Sequence, residues 1–127
     1  MSTPPRIMAT PAAMELISEL EADHGPLMFH QSGGCCDGSS PMCYPKGELR
    51  VGPQDVLLGK IGETEVWIGS AQFELWKHTQ LVLDVVPGRG AGFSLESPTG
   101  KRFLTRSRVF TPEEQAALEA APPVRGT

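Results

Sequence analysis

Gln80-Leu-Val-Leu-Asp-Val-Val-Pro-Gly-Arg-Gly-Ala-Gly-Phe-Ser-Leu-Glu-Ser-Pro-Thr-Gly-Lys-Arg-Phe-Leu-Thr-Arg-Ser-Arg-Val-Phe110 is the stretch on which the fold turns. Leu81, Leu83 and Val85 share one parity in a run rich in branched side chains, the pattern of a strand with one buried face. The turn Pro87-Gly-Arg-Gly-Ala-Gly92 interrupts it, Phe93–Glu96 reads as a second strand, Pro98-Thr-Gly100 turns again, and Lys101–Phe110 reads as a third. Strands joined in sequence by Gly- and Pro-rich turns predict an antiparallel meander.

Working downstream, Thr111-Pro112-Glu113-Glu114 is a capping box with proline at the first helical position, and it opens a short helix carrying Ala117 and Leu118. Pro122-Pro123 stops that helix. Upstream, Val56–Ile61 and Thr64–Ile68 flank Gly62-Glu63 as a hairpin, with Val66 and Ile68 on one side and Trp67 on the other. Phe73–His78 carries both patterns, with Phe73 and Trp76 or Lys77 at helical spacing and Phe73, Leu75 and Lys77 alternating as in a strand, and it is read as a helical turn. Near the N-terminus, Thr10 is a helix cap and Pro11 the first helical residue, with Ala13, Met14, Ile17 and Leu20 at helical spacing before Gly25-Pro26. Leu27–Gln31 is a short strand with Leu27, Phe29 and Gln31 on one face and Met28 and His30 on the other.

A chain of 127 residues fits one core. The expected organisation is a mobile arm over 1–9, a single domain over 10–121 and a tail over 122–127. The expected class is α+β: curved antiparallel β-sheets flanked by an N-terminal helix and a short C-terminal one.

Net charge is −4 and no Lys/Arg run supplies a phosphate-binding footprint, so nucleic acid is not the expected partner. No apolar stretch approaches the roughly 20 residues that span a bilayer. Met1-Ser-Thr-Pro-Pro-Arg6 lacks the basic and apolar regions of a secretory leader, so a cytoplasmic location with reduced thiols is expected.

All three cysteines, Cys35, Cys36 and Cys43, fall within nine residues, which rules out a disulfide framework joining distant segments. Gly33-Gly34 precede the pair and Asp37-Gly38 follow it, residues at which a backbone can adopt positive φ without a Cβ penalty. Cys43 is near enough in sequence to fold back onto the pair, and His30 enters the loop as a fourth donor. Three thiolates and an imidazole suit Zn²⁺, and such donors also suit iron or Cu(I). Against this, adjacent side chains diverge, so Cys35 and Cys36 do not chelate one ion as readily as a Cys-x-x-Cys pair. A thiol-redox alternative makes Cys35 or Cys36 the nucleophile, His30 its base and Cys43 the resolving thiol. In a third alternative the loop is structural and the activity lies in an interaction surface.

His78 is a candidate accessory ligand or a structural residue beside Trp76, and Asp37 is a candidate accessory group within the loop. His24 suits the end of the first helix, where its charge meets the dipole. Met28 and Met42 flank the loop and offer either thioether donors for Cu(I) or core filling. Arg102, Arg106 and Arg108 share one strand parity and form a candidate surface for an anion or an acidic partner, or a solvated face. Gly88-x-Gly90-x-Gly92 leads into a strand rather than a helix, so it is not a dinucleotide fingerprint. No nucleophile elbow, HExxH motif or phosphate loop occurs.

Over about residues 11–105 the order of helix, strand, Gly33-Gly34-Cys35 loop and hairpin resembles the A-type iron–sulfur carriers, the HesB-like family. The resemblance implies a β-sandwich or pseudobarrel and an iron–sulfur cluster, with Cys35 in the position of one thiol. The stretch Arg102–Arg108, where that family carries Cys-Gly-Cys, has no cysteine. Over nearly the whole chain, His30–Pro45, Trp76-Lys-His-Thr-Gln80 and Gly88–Arg108 are similar to a family of short bacterial proteins of unknown function encoded beside aldehyde dehydrogenases. That similarity implies an accessory role near such an enzyme. The expected function is therefore an accessory metal- or iron–sulfur-binding thiol protein, with Cys35, Cys36, Cys43 and His30 as ligands to zinc, iron or a cluster.

Overall fold

A computed structural model of the protein describes residues 4–31, 41–48, 51–88, 94–121 and 124–125. From the N-terminus the elements are β1 (Ile7–Ala9), α1 (Pro11–His24), β2 (Leu27–Gln31), β3 (Met42–Pro45), β4 (Asp55–Ile61), β5 (Thr64–Gly69), α2 (Ser70–Trp76), β6 (Thr79–Pro87), β7 (Lys101–Val109), α3 (Pro112–Glu119) and β8 (Val124–Arg125). The strands form a three-stranded sheet in the order β1-β6-β7 and a five-stranded sheet in the order β3-β2-β5-β4-β8.

The α+β class holds, but the sheets are mixed rather than antiparallel, and the described strands close no barrel. β1 runs parallel to β6, with Ile7 opposite Leu81, and β2 runs parallel to β5, with Phe29 opposite Val66. Alternation of apolar residues identifies a strand and its buried face but carries no information on the direction of its partner. Both parallel pairs join strands far apart in the chain, where turn chemistry is silent.

The meander also differs in its middle. β6 pairs directly with β7 over nine positions, from Thr79 opposite Val109 to Pro87 opposite Lys101. Ser94–Gly100, where the second strand was expected to end, is instead a turn with a 3-10 segment at Ser97–Thr99. The reason is local: the Leu95 N–H donates to the Cys43 carbonyl at 3.1 Å, and the Thr99 N–H and hydroxyl both donate to the Glu96 carbonyl. The segment therefore binds the five-stranded sheet through β3 instead of extending the other one.

The hairpin over β4 and β5 turns at Gly62-Glu63 as expected. Gly59 sits at a bulge with φ +153, and a Cβ there would lie 3.1 Å from Ile7 Cγ2, so this glycine lets β1 approach β4. Ile7–Ala9 belong to a strand rather than to a mobile arm, and Val124–Arg125 of the expected tail pair with β4.

α1 starts at Thr10, whose hydroxyl accepts the Ala13 N–H at 3.2 Å, and stops at Gly25 with φ +79. Its buried face is Ala13, Leu16, Ile17 and Leu20. Met14, expected on that face, is 51 % exposed. The capping box of α3 is complete: the Thr111 hydroxyl accepts the Glu114 N–H, and the Glu114 carboxylate accepts the Thr111 N–H. At its other end Arg6 donates to the Leu118 and Ala121 carbonyls at 3.1 and 2.7 Å, a cation satisfying the last turn.

One apolar core gathers α1 and the facing sides of both sheets, including Leu16, Phe29, Val56, Ile68, Leu81, Leu83 and Phe103. Phe29 of β2 meets Phe103 of β7 edge to face, with centroids 4.9 Å apart. Among the described residues no helix is long and apolar enough to cross a membrane.

Candidate functional site

β2 brings His30 and Gln31 to the end of the strand that leads into the cysteine loop. Cys35, Cys36 and Asp37 lie outside the described residues, as do the remaining positions of 32–40. What is described is the frame on which that loop stands, with β2 on one side and β3, beginning at Met42, on the other.

β2 lies between β3 and β5, and all five of its residues are buried. His30 Nε2 is 2.8 Å from Asp55 Oδ1, and both residues are buried. Asp55 opens β4, where a tight turn has its N–H donating to the Gly52 carbonyl and its Oδ2 accepting the Gly52 N–H at 3.0 Å. Burial alone raises the pKa of this carboxyl. The hydrogen bonds from His30 and Gly52 and the adjacent imidazole charge outweigh it, so Asp55 sits below the usual carboxylate range. The result is an ionised carboxylate holding one ring nitrogen of an imidazole, in a nearly dry setting.

Cys43 is elsewhere. In β3 it lies opposite Phe29, while His30 lies opposite Met42. Cys43 therefore shares the core face with Phe29, and His30 faces away from it. The Cys43 thiol has no solvent exposure, and its pKa is raised by burial and by the Glu96 carboxylate. Its backbone is held as well, since its N–H donates to Ser94 Oγ at 2.8 Å. The Ser94 hydroxyl in turn donates to Glu96 Oε1. The expectation that Cys43 folds back within an open loop is thus corrected: it is a strand residue sealed in the core, because four residues of β3 without visible alternation still pair with β2. Ser94 and Glu96, both buried, had no signal in the sequence beyond lying in a run read as a strand.

The other candidates are dispersed. His78 is exposed and lies just before β6, in the other sheet. Of the three arginines on β7, Arg106 donates to Asp84 at 2.8 Å and Arg108 grips Glu114 with two nitrogens at 3.1 and 3.0 Å. Arg102 is half-buried at the Lys101 end of the same strand. The expected cationic surface is thus largely matched by carboxylates within the molecule. A cavity of about 240 Å³ between α1 and the β6–β7 hairpin, lined by Leu16, Val85 and Lys101 among others, is separate from the His30–Asp55 pair. Among the described residues no three His, Cys, Asp or Glu side chains converge as a metal-ligand group.

Fold and site define a class: an α+β protein of two mixed sheets, with a buried imidazole–carboxylate pair at the root of a cysteine-bearing connection. Residues 16–109 match a family model described as a domain of unknown function (DUF779), and the chain belongs to that family. No curated protein and no solved structure matches it.

Proposed function

We propose that this protein is an accessory metal-binding thiol protein, holding a metal ion or an iron–sulfur cluster on Cys35, Cys36 and His30. The observation that carries this is the buried His30–Asp55 contact of 2.8 Å, five residues before Cys35. A carboxylate on one ring nitrogen fixes the tautomer and the ring orientation, and ligating histidines almost always donate their other ring N–H to a carboxylate, a backbone carbonyl or water.

Cys43 leaves the donor set. Metals take thiolates, and this thiol is kept protonated by burial and by Glu96. Two thiolates and one imidazole with an open fourth position is a set that zinc accepts, and an open position suits transfer to another protein. The same withdrawal removes the resolving thiol from the redox alternative. The partner we propose is an aldehyde dehydrogenase, on the similarity of His30–Pro45, Trp76–Gln80 and Gly88–Arg108 to the proteins encoded beside such enzymes. The likeness to iron–sulfur carriers adds Cys35 alone.

The test is elemental analysis of protein purified without an affinity tag, with thiol titration before and after a chelator. Stoichiometric metal that masks Cys35 and Cys36 and survives Cys43→Ala is expected. Asp55→Asn should weaken metal affinity by about 10–100-fold. Three thiols that react alike in the unfolded chain with no metal released would overturn the proposal. Co-purification with an aldehyde dehydrogenase that persists in a metal-free Cys35→Ser/Cys36→Ser protein would move the function to a docking surface.

A further inference from the structure

The cavity between α1 and the β6–β7 pair lies apart from the thiol chemistry and has the make-up of a ligand site. Its helical wall is Ala12, Glu15 and Leu16, spaced three and four apart and so on one face of α1. Its other wall is Val85, Val86 and Pro87 of β6, with Lys101 of β7 paired opposite Pro87. Leu16 is buried and the two valines are half-buried, whereas Ala12, Glu15, Pro87 and Lys101 are exposed. The cavity therefore has an apolar floor and a rim that solvent reaches. It exists because the facing side chains are short: alanine, valine and proline leave about 240 Å³ that longer residues would fill. The rim carries one charge of each sign on opposite walls, Glu15 on the helix and Lys101 on the sheet. Arg106 and Arg108 of β7 are matched by Asp84 and Glu114, but among the described residues the Glu15 and Lys101 side chains pair neither with each other nor with another group.

We infer that this cavity binds a small aliphatic amino acid, with its ammonium at Glu15, its carboxylate at Lys101 and its side chain on Leu16, Val85 and Val86. The inference goes beyond the thiol function and does not depend on it.

Charge, size and polarity select this class together. A simple carboxylate would gain Lys101 but face Glu15, and a simple amine would meet the reverse. A zwitterion satisfies both, and its zero net charge matches walls whose charges cancel. At about 30 Å³ for each water-sized group, the volume holds about eight of them. That is the size of valine or leucine and too little for a nucleotide. The floor of Leu16, Val85 and Val86 favours a branched hydrocarbon side chain, which leaves water on binding, while the two charges at the rim fix its orientation.

The experiment is an NMR titration of the full chain with L-leucine, following backbone amide shifts. Three further probes each lack one part of it: isocaproate the ammonium, isoamylamine the carboxylate and glycine the side chain. The variants are Glu15→Gln, Lys101→Gln and Ala12→Leu. All three positions are exposed, and leucine is a good helix former, so the fold is expected to persist, which a thermal melt checks. Leucine should shift the amides of Leu16, Val85, Val86 and Lys101 and bind about tenfold tighter than each truncated probe, the effect of one charge-assisted hydrogen bond or of the buried side chain. Lys101→Gln should weaken leucine about tenfold without weakening isoamylamine, and Glu15→Gln should weaken it equally without weakening isocaproate. Ala12→Leu, which fills the space, should abolish leucine binding in a chain that melts as the wild type does. Absence of leucine-induced shifts, shifts confined to other parts of the protein, isocaproate binding as tightly as leucine, or leucine binding unaltered by Ala12→Leu would each overturn the inference. Metal content and thiol reactivity are read separately, so the thiol function stands or falls on its own test.

Discussion

Phe29 and His30 are neighbours in β2, yet Phe29 lies against Phe103 and opposite Cys43, while His30 meets Asp55 on the other side of the sheet. Alternation along Leu27–Gln31 was readable in the sequence. The side on which Cys43 falls was not, because that depends on its register with β2. A shift of one residue would have placed Cys43 beside His30. Glu96 is a similar case, since nothing near it marks a carboxylate with no solvent exposure that accepts from Ser94. Glu114 was more legible. The capping box named it, and the structure adds the two-pronged grip of Arg108. That hydrogen bond is the largest influence on its carboxyl and, with the Thr111 N–H, lowers the pKa from 4.5 to about 2. A depressed carboxyl contributes stability that is present above its unfolded value and lost as pH falls through its folded one. The junction of β7 and α3 should therefore hold until pH drops from the ordinary carboxylate range toward 2. An NMR titration of the Glu114 carboxyl should give a midpoint near 2 that moves up in Arg108→Gln; an unmoved midpoint would refute the assignment.

At the scale of elements, helices were easier to place than strands. Their ends are chemical: Thr10-Pro11 and Thr111-Pro112 cap and start α1 and α3, and Gly25 stops α1. The buried face of α1 was shifted nonetheless, with Leu16 inside and Met14 outside, because a helix face is chosen by what it packs on. Thr10 does two jobs, since its hydroxyl accepts from Ala13 and donates to Asp84 of β6 at 2.9 Å. Thr10→Ala should cost about 1–2 kcal/mol, seen as a lower urea midpoint with an unchanged slope, and a change in slope would indicate an altered denatured or native state instead. The short strands β1, β3 and β8 had little chance of detection. Two to four residues contain no more than two full alternations, and their existence depends on an edge being available to pair with.

For the whole molecule, the question is whether the two sheets share one fate. Phe29 belongs to the five-stranded sheet and Phe103 to the three-stranded one, and each has no solvent exposure. Phe29→Ala should remove about 3–5 kcal/mol, the usual cost of emptying a buried aromatic site. Tryptophan fluorescence, which includes Trp67 in the larger sheet, and far-UV circular dichroism should report one coincident transition. Separate transitions would mean two independent cores.

By itself the sequence determined the α+β class, the caps of the first and last helices, the β4–β5 hairpin and the strands β2, β6 and β7, since each is written in neighbours a few residues apart. It also singled out His30 at the entrance to the cysteine segment. Only the tertiary structure decided the parallel partners of β1 and β2, the turn at Ser94–Gly100, the removal of Cys43 into the core and the carboxylate on His30. Each of these is a pairing between residues at least 12 positions apart or depends on one, and no local periodicity or turn chemistry encodes such a pairing.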